Sequence, residues 1–166
     1  MTNPKTAEWY MPGVEAKIDT LVAGQAAAIG GLAAYAETKA VTFNNTDADV
    51  TLFTVTGDVI VRVIAICKTA VASAGGCNIS VGIAGATAAI IALTDCTQLA
   101  QNEIWHDASP DSLIEAMSIA GAAGFIISGG SDIVLDVEAA KQVDSGAVTF
   151  YCLWTPLSAD GDVTAA

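Results

Sequence analysis

The chain has 166 residues, 18 Asp and Glu against 6 Lys and Arg, and a net charge of −12, with 53% hydrophobic and only 14% charged residues. That length bounds one domain with an appended arm, and the charge excludes an ordinary nucleic-acid binder, which needs Lys and Arg on phosphates, and argues against anionic membrane surfaces. The apolar surplus exceeds what so small a domain buries, which predicts contacts between subunits.

No stretch reaches the roughly 18 uninterrupted apolar residues of a membrane span. Residues 21–36 come nearest, and Gly24, Gln25, Gly30 and Gly31 interrupt them. Residues 1–10 lack the basic start and apolar core of a secretory signal. The expectation is synthesis in a cytosol, with no export by that route.

Residues 1–37 read as an arm. Pro4 and Pro12-Gly13 mark irregular chain, and from there Val14, Ile18, Leu21, Val22, Ile29 and Leu32 recur at spacings of three, four and seven, as on one helical face. Three glycines weaken that helix, each by about 1 kcal/mol relative to Ala. Two readings stay open: a short helix covering the domain's own core, or an arm reaching a neighbouring subunit or partner. Trp9 and Tyr10 join Val14, Ile18, Leu21, Ile29 and Leu32 as candidate partner-binding residues, because aromatic side chains in irregular segments are common anchors.

Beyond Glu37 the period changes to two, which places a β domain over residues 38–158. Strands are expected at 39–44, 50–56 and 59–67, with Gly57-Asp58 suited to a tight hairpin between the last two. Further strands are expected at 78–83, 88–93, 103–107 and 113–119. The set closes with 124–128, 131–137 and 146–154, and Gly129-Gly130 reads as a second hairpin turn. Pro156 and the small polar residues 159–166 read as a flexible tail. Nine or ten short strands without βαβ alternation make the chain all-β. The expected architecture is an antiparallel two-sheet sandwich, jelly-roll-like, with an N-terminal arm or short helix.

Chemistry-bearing patterns are sparse. His106 is the one histidine, and a strand places Glu103 and Asp107 on the face away from it. No nucleophile elbow accompanies it, so it reads as a loop-edge residue packed against Trp105, and no enzyme is expected. Asp47 with Asp49 and Asp132 with Asp136 are candidate calcium or glycosidase pairs, read better as turn caps and solvated strand faces. Cys67, Cys77, Cys96 and Cys152 form no CxxC pair, which argues against zinc; buried free thiols are expected. The glycine pairs fit no phosphate loop, so no cofactor and no metal is expected.

Four phrases carry a resemblance. Val50 to Ile64 (VTLFTVTGDVIVRVI), Glu103 to Asp111 (EIWHDASPD), Ile127 to Ile133 (ISGGSDI) and Phe150 to Gly161 (FYCLWTPLSADG) resemble, in order, a group of small virion proteins of tailed bacteriophages. The resemblance covers most of residues 41–162 and leaves the first 36 aside. It implies a capsid decoration or cement protein, β-rich and often trimeric, made in the host bacterial cytoplasm and seated on the outside of the head shell. Its implied partners are the major capsid protein and further copies of itself, and it carries over no catalytic residue. A host-surface or glycan-binding fibre module, and a connector or tail component, are the competing expectations.

Overall fold

The computed structural model describes residues 35–112 and 124–166. The expected arm therefore lies outside the described residues as far as 34, and so does the strand expected over 113–119. The described chain runs β1 (Tyr35–Thr46), β2 (Val50–Thr56), β3 (Val59–Ala72), β4 (Asn78–Ile83), β5 (Ala86–Asp95) and β6 (Glu103–Trp105). It continues through β7 (Asp111–Ser112), β8 (Phe125–Ile127), β9 (Ile133–Val137), β10 (Val143–Pro156) and β11 (Asp162–Ala165). A 3-10 turn, Cys96–Gln98, follows β5, and the Asp95 carboxylate caps it by accepting the Thr97 N–H.

Two antiparallel sheets result, as expected. The first has the order β1-β10-β3-β6-β7, with β8 also paired to β3, and the second has the order β11-β2-β9-β4-β5. The pairing is nested: β1 with β10, β2 with β9, β3 with β6 and β8, and β4 with β5. A long antiparallel ribbon wound around a barrel-like core gives this order, which is that of the jelly roll.

Winding corrects two local expectations. Gly57-Asp58 does not close a hairpin, because β2 belongs to the second sheet and β3 to the first. Gly129-Gly130 likewise carries the chain from β8 in the first sheet to β9 in the second. A corner between sheets needs the same positive-φ residue as a hairpin turn, and Gly57 supplies it at φ 59°. A Cβ there would lie 2.8 Å from Gly161 N, so the corner is also closed to larger residues.

The flexible tail expected over residues 159–166 is a third correction. β11 pairs with β2 from Asp162–Thr56 to Ala165–Phe53, Val163 is buried, and Ala166 N–H donates to Leu52 O (3.1 Å). The backbone ladder orders this small polar segment, and one apolar side chain on its inner side suffices to dock it. The β domain also begins earlier than residue 38: Tyr35 is already in register with Trp154 across β1 and β10, and their rings stack 4.6 Å apart.

The core lies between the sheets. From the first come Phe43, Val61, Val63, Trp105, Phe150 and Cys152, and from the second Leu52, Phe53, Ile79, Ile91, Ile133 and Leu135. Each large side chain so buried contributes roughly 1.5–3 kcal/mol. Trp105 meets Phe150 edge-on at 6.1 Å, and its indole N–H donates to the buried Thr94 hydroxyl (3.0 Å), which itself donates to Ala92 O (2.9 Å). Every polar atom of that trio is thereby partnered inside the core.

Candidate interaction surfaces

The carboxylates gather at the two ends of the sandwich, where strands turn. At the end formed by the β1–β2, β3–β4 and β9–β10 connections, Asp49 accepts the Val137 N–H (3.1 Å) and Asp144 the Ala74 N–H (2.6 Å). Glu138 there accepts both the backbone and side-chain N–H groups of Asn78 (3.1 and 2.9 Å), and Lys141 donates to Gly75 O (2.9 Å). At the opposite end Asp58 accepts the Gly129 N–H (3.0 Å), and Asp132 accepts the Val55 N–H (3.1 Å). The Ala74 N–H holds Asp144 below the usual carboxylate range, with Gln142 adding to it, and the Thr97 hydroxyl and N–H do the same for Asp95.

The candidate carboxylate pairs are thus divided among structural duties. Asp49 and Asp132 accept backbone N–H groups of strands β9 and β2, whereas Asp136 lies 3.3 Å from the Ser80 hydroxyl. Near His106, Glu103 turns back to accept the Ala100 N–H (2.8 Å), and Asp107 accepts the Ser109 N–H (2.7 Å). Trp105 points inward from β6 with no exposed surface, and His106 follows the strand's end, half-buried. Trp154 is 6% exposed, so neither described tryptophan presents an open ring face. Trp9, Tyr10, Val14, Ile18, Leu21, Ile29 and Leu32 lie outside the described residues.

All four cysteines are buried and free. Burial pushes the Cys152 thiol up to about 12, with the Glu37 charge adding to it, and pushes Cys96 up to about 11, with Cys77 and Asp95 adding. Burial also raises Cys67 and Cys77. The Cys67 thiol donates to Thr69 O and Leu99 O (each 3.2 Å). None of these is an electropositive, open setting of the kind that makes a thiol reactive.

The outward faces of the two sheets differ sharply in chemistry. On the first sheet, cross-strand rows run Ala36–Leu153–Arg62, Thr38–Tyr151–Ile64, Ala40–Thr149–Ile66–Ile104–Asp111 and Thr155–Ile60–Ile126. Arg62 and, at the β7 edge, Asp111 are the charges in those rows. Ile60, Ile64, Ile66, Tyr151 and Leu153 are half-buried, and Ile126 is 71% exposed. On the second sheet the rows run Thr56–Asp162, Thr54–Thr164, Thr51–Val134–Gly82 and Asp136–Ser80, the last with Ser80 buried beneath β5, which is a mainly polar outer side. Sequence reasoning passed over the first face, although a signal was present: β3 carries Ile60, Ile64 and Ile66 on its outer side as well as valines on its inner one, as strands covered on both faces do.

A cleft of about 570 Å³ opens where β1 begins and the β10–β11 connection turns. Tyr35, Glu37, Trp154, Ser158 and Asp162 line it, with Tyr35 53% exposed. It joins an aromatic ring face to two carboxylates and a hydroxyl.

No family model, no curated protein and no solved structure matches the chain.

Proposed function

We propose that this chain is a structural protein of a tailed-phage particle, a decoration or cement protein that binds the outside of the head shell as a homo-oligomer, with three copies the favoured number. What supports the reading, beside the four sequence phrases, is the largely apolar outward face of the first sheet. An acidic sandwich whose end carboxylates are tied to its own backbone, and whose first sheet carries a group of isoleucines on its outer side, is suited to tiling and stacking. In this reading residues 1–37 reach the major capsid protein, and no catalytic step is involved. Each contact is weak alone; symmetry repeats it and the shell raises the effective concentration, so that the repeated contacts hold cooperatively.

Image reconstruction of the whole virion tests the proposal. Sandwich-sized density on the outer shell in tens to hundreds of copies is the expected result. Its absence from the head, or presence in a few copies at the neck or tail, would overturn decoration in favour of a connector. Deleting residues 1–36 is expected to abolish binding to expanded heads while the sandwich still folds.

One observation favours a second reading, a glycan-binding module: the Tyr35 cleft, where Glu37 and Asp162 could accept sugar hydroxyls beside an aromatic face. A glycan array with no binder would count against it.

A further inference from the structure

We infer that the outward face of the first sheet is the surface on which one copy of this chain packs against a second copy. The inference rests on the self-association in the proposed function and is independent of whether the assembly belongs to a virion.

Charge distribution identifies the occupant. Two identical chains of net charge −12 repel wherever carboxylates face each other, and here the carboxylates cluster at the sandwich ends and appear on the second sheet's exterior. The rows hold none along β1, β10, β3 and β8, and one, Asp111 of β7, only where the Ile104 row reaches the edge of the sheet, so two copies approach over most of the face without that cost. A cationic partner, by contrast, would be drawn to the ends and would gain nothing from this face.

Relief points the same way. Along β3 and its neighbours β6 and β8 the outward side chains are tall: Ile60, Ile64, Ile66, Ile104 and Ile126. Along β1, at the other side of the same face, they are low and exposed: Ala36, Thr38, Ala40 and Thr42. A surface with a ridge on one side and a shelf on the other is self-complementary: a second copy turned about a symmetry axis sets its ridge on the first copy's shelf.

Strand spacing and rise give the four rows roughly 400–500 Å² of flat area per copy, the low end for a specific interface, where about 800 Å² per partner is usual. The contact is therefore concentration-dependent in solution and is reinforced when copies are held side by side.

Sedimentation equilibrium of the full chain across a concentration series tests this, with circular dichroism as the folding control. Wild type is expected to self-associate. Ile64→Glu and Ala40→Glu each place a carboxylate on the face and are expected to weaken association roughly a hundredfold or more, since like charges of the two copies would be brought together and desolvated. Thr54→Glu, on the second sheet's exterior, is expected to leave association unchanged. Ala40 is exposed on an edge strand, so its variant stays folded even where Ile64→Glu does not. A monomeric wild type would overturn self-association itself. A wild-type oligomer that persists in folded Ala40→Glu, or that Thr54→Glu also dissolves, would overturn this surface alone.

Discussion

The two outward faces of the sandwich are built on the same kind of ladder and yet follow different rules. On the second sheet β9, β2 and β11 mostly alternate: Leu135 and Val137 point in while Asp136 points out, Val55 and Val163 point in while Thr54, Thr56 and Thr164 point out, and Val134 is the apolar exception on the outer side. On the first sheet, Val61, Val63 and Ala65 point in, and Ile60, Ile64 and Ile66 point out together with one charged residue, Arg62. The difference teaches that inward alternation alone defines the fold, because both sheets supply an apolar inner side. What the outer side carries is free to encode association.

The largest expected effect comes from the polar face, at a place where it is not open to solvent. β5 folds its first residues over β4, so that a Cβ on Gly82 would sit 2.1 Å from Ala86 O and 2.6 Å from the Thr87 carbonyl carbon. The Ser80 hydroxyl donates to Thr87 O (2.9 Å) on the same side. Gly82→Ala is therefore expected to lower stability by about 3 kcal/mol, the upper range for overpacking, since backbone must move. Urea unfolding measures it, and a change below about 0.5 kcal/mol, the scatter of neutral surface substitutions, would mean that this part of the second face is loose.

Neighbouring positions on β3 separate fold from association. Val63 is 3% exposed and faces the core, while Ile64 faces out. Val63→Thr buries a hydroxyl among apolar side chains and is expected to cost about 1–3 kcal/mol in denaturant with association per folded molecule unchanged. Ile64→Thr is expected to do the reverse, weakening association while monomer stability changes by less than about 1 kcal/mol. Equal effects of both on unfolding would erase the distinction between the two sides of the strand.

Residue patterns made the strands legible and the connections illegible. Val59 to Cys67 and Asn78 to Ile83 announce themselves through β-branched residues and alternation, and both are strands. The same local text at Gly57-Asp58 and Gly129-Gly130 serves a hairpin or a corner, and only the distant partners, β9 for β2 and β10 for β3, decide which. β11 escaped notice for a related reason: its side chains are small, and its order comes from backbone bonds to β2 that no local composition records. The interaction face was visible in β3 as a run of apolar residues, but a continuous run does not say which side meets the core. Register with β10 supplies that.

Alkali sharpens the view of the interior, where the first sheet contributes Cys67 and Cys152 and the connections beside β4 and β5 contribute Cys77 and Cys96. The folded values of Cys96 and Cys152, about 11 and about 12, stand above the ordinary thiol value of 9.0. Below pH 9 these thiols are protonated in both states, and their full contribution to stability is present. Above it the unfolded chain loses protons that the folded chain keeps, so stability falls as pH rises from about 9 towards 12. The expected result is a melting temperature that declines across that window, with a smaller decline in Cys152→Ala than in wild type. Near neutral pH, no thiol is expected to react with an aromatic disulfide reagent until denaturant is added.

The smallest expected effect is the most pointed test of the contrast between faces. Thr54 is exposed on β2 and pairs with Thr164 on β11, beside the Thr56–Asp162 row. Thr54→Ile keeps a β-branched side chain in a strand position, so stability is expected to change by no more than about 0.5 kcal/mol. Association is expected not to change at all, because one isoleucine among threonines and carboxylates makes no contiguous apolar patch of a few hundred Å². On the first face Ile60, Ile64 and Ile66 reinforce one another across Tyr151 and Leu153, and that continuity is what distinguishes it. If Thr54→Ile alone raised the sedimenting mass, self-association would follow from any added apolar group, and the ridge and shelf of the first sheet would lose their claim to specificity.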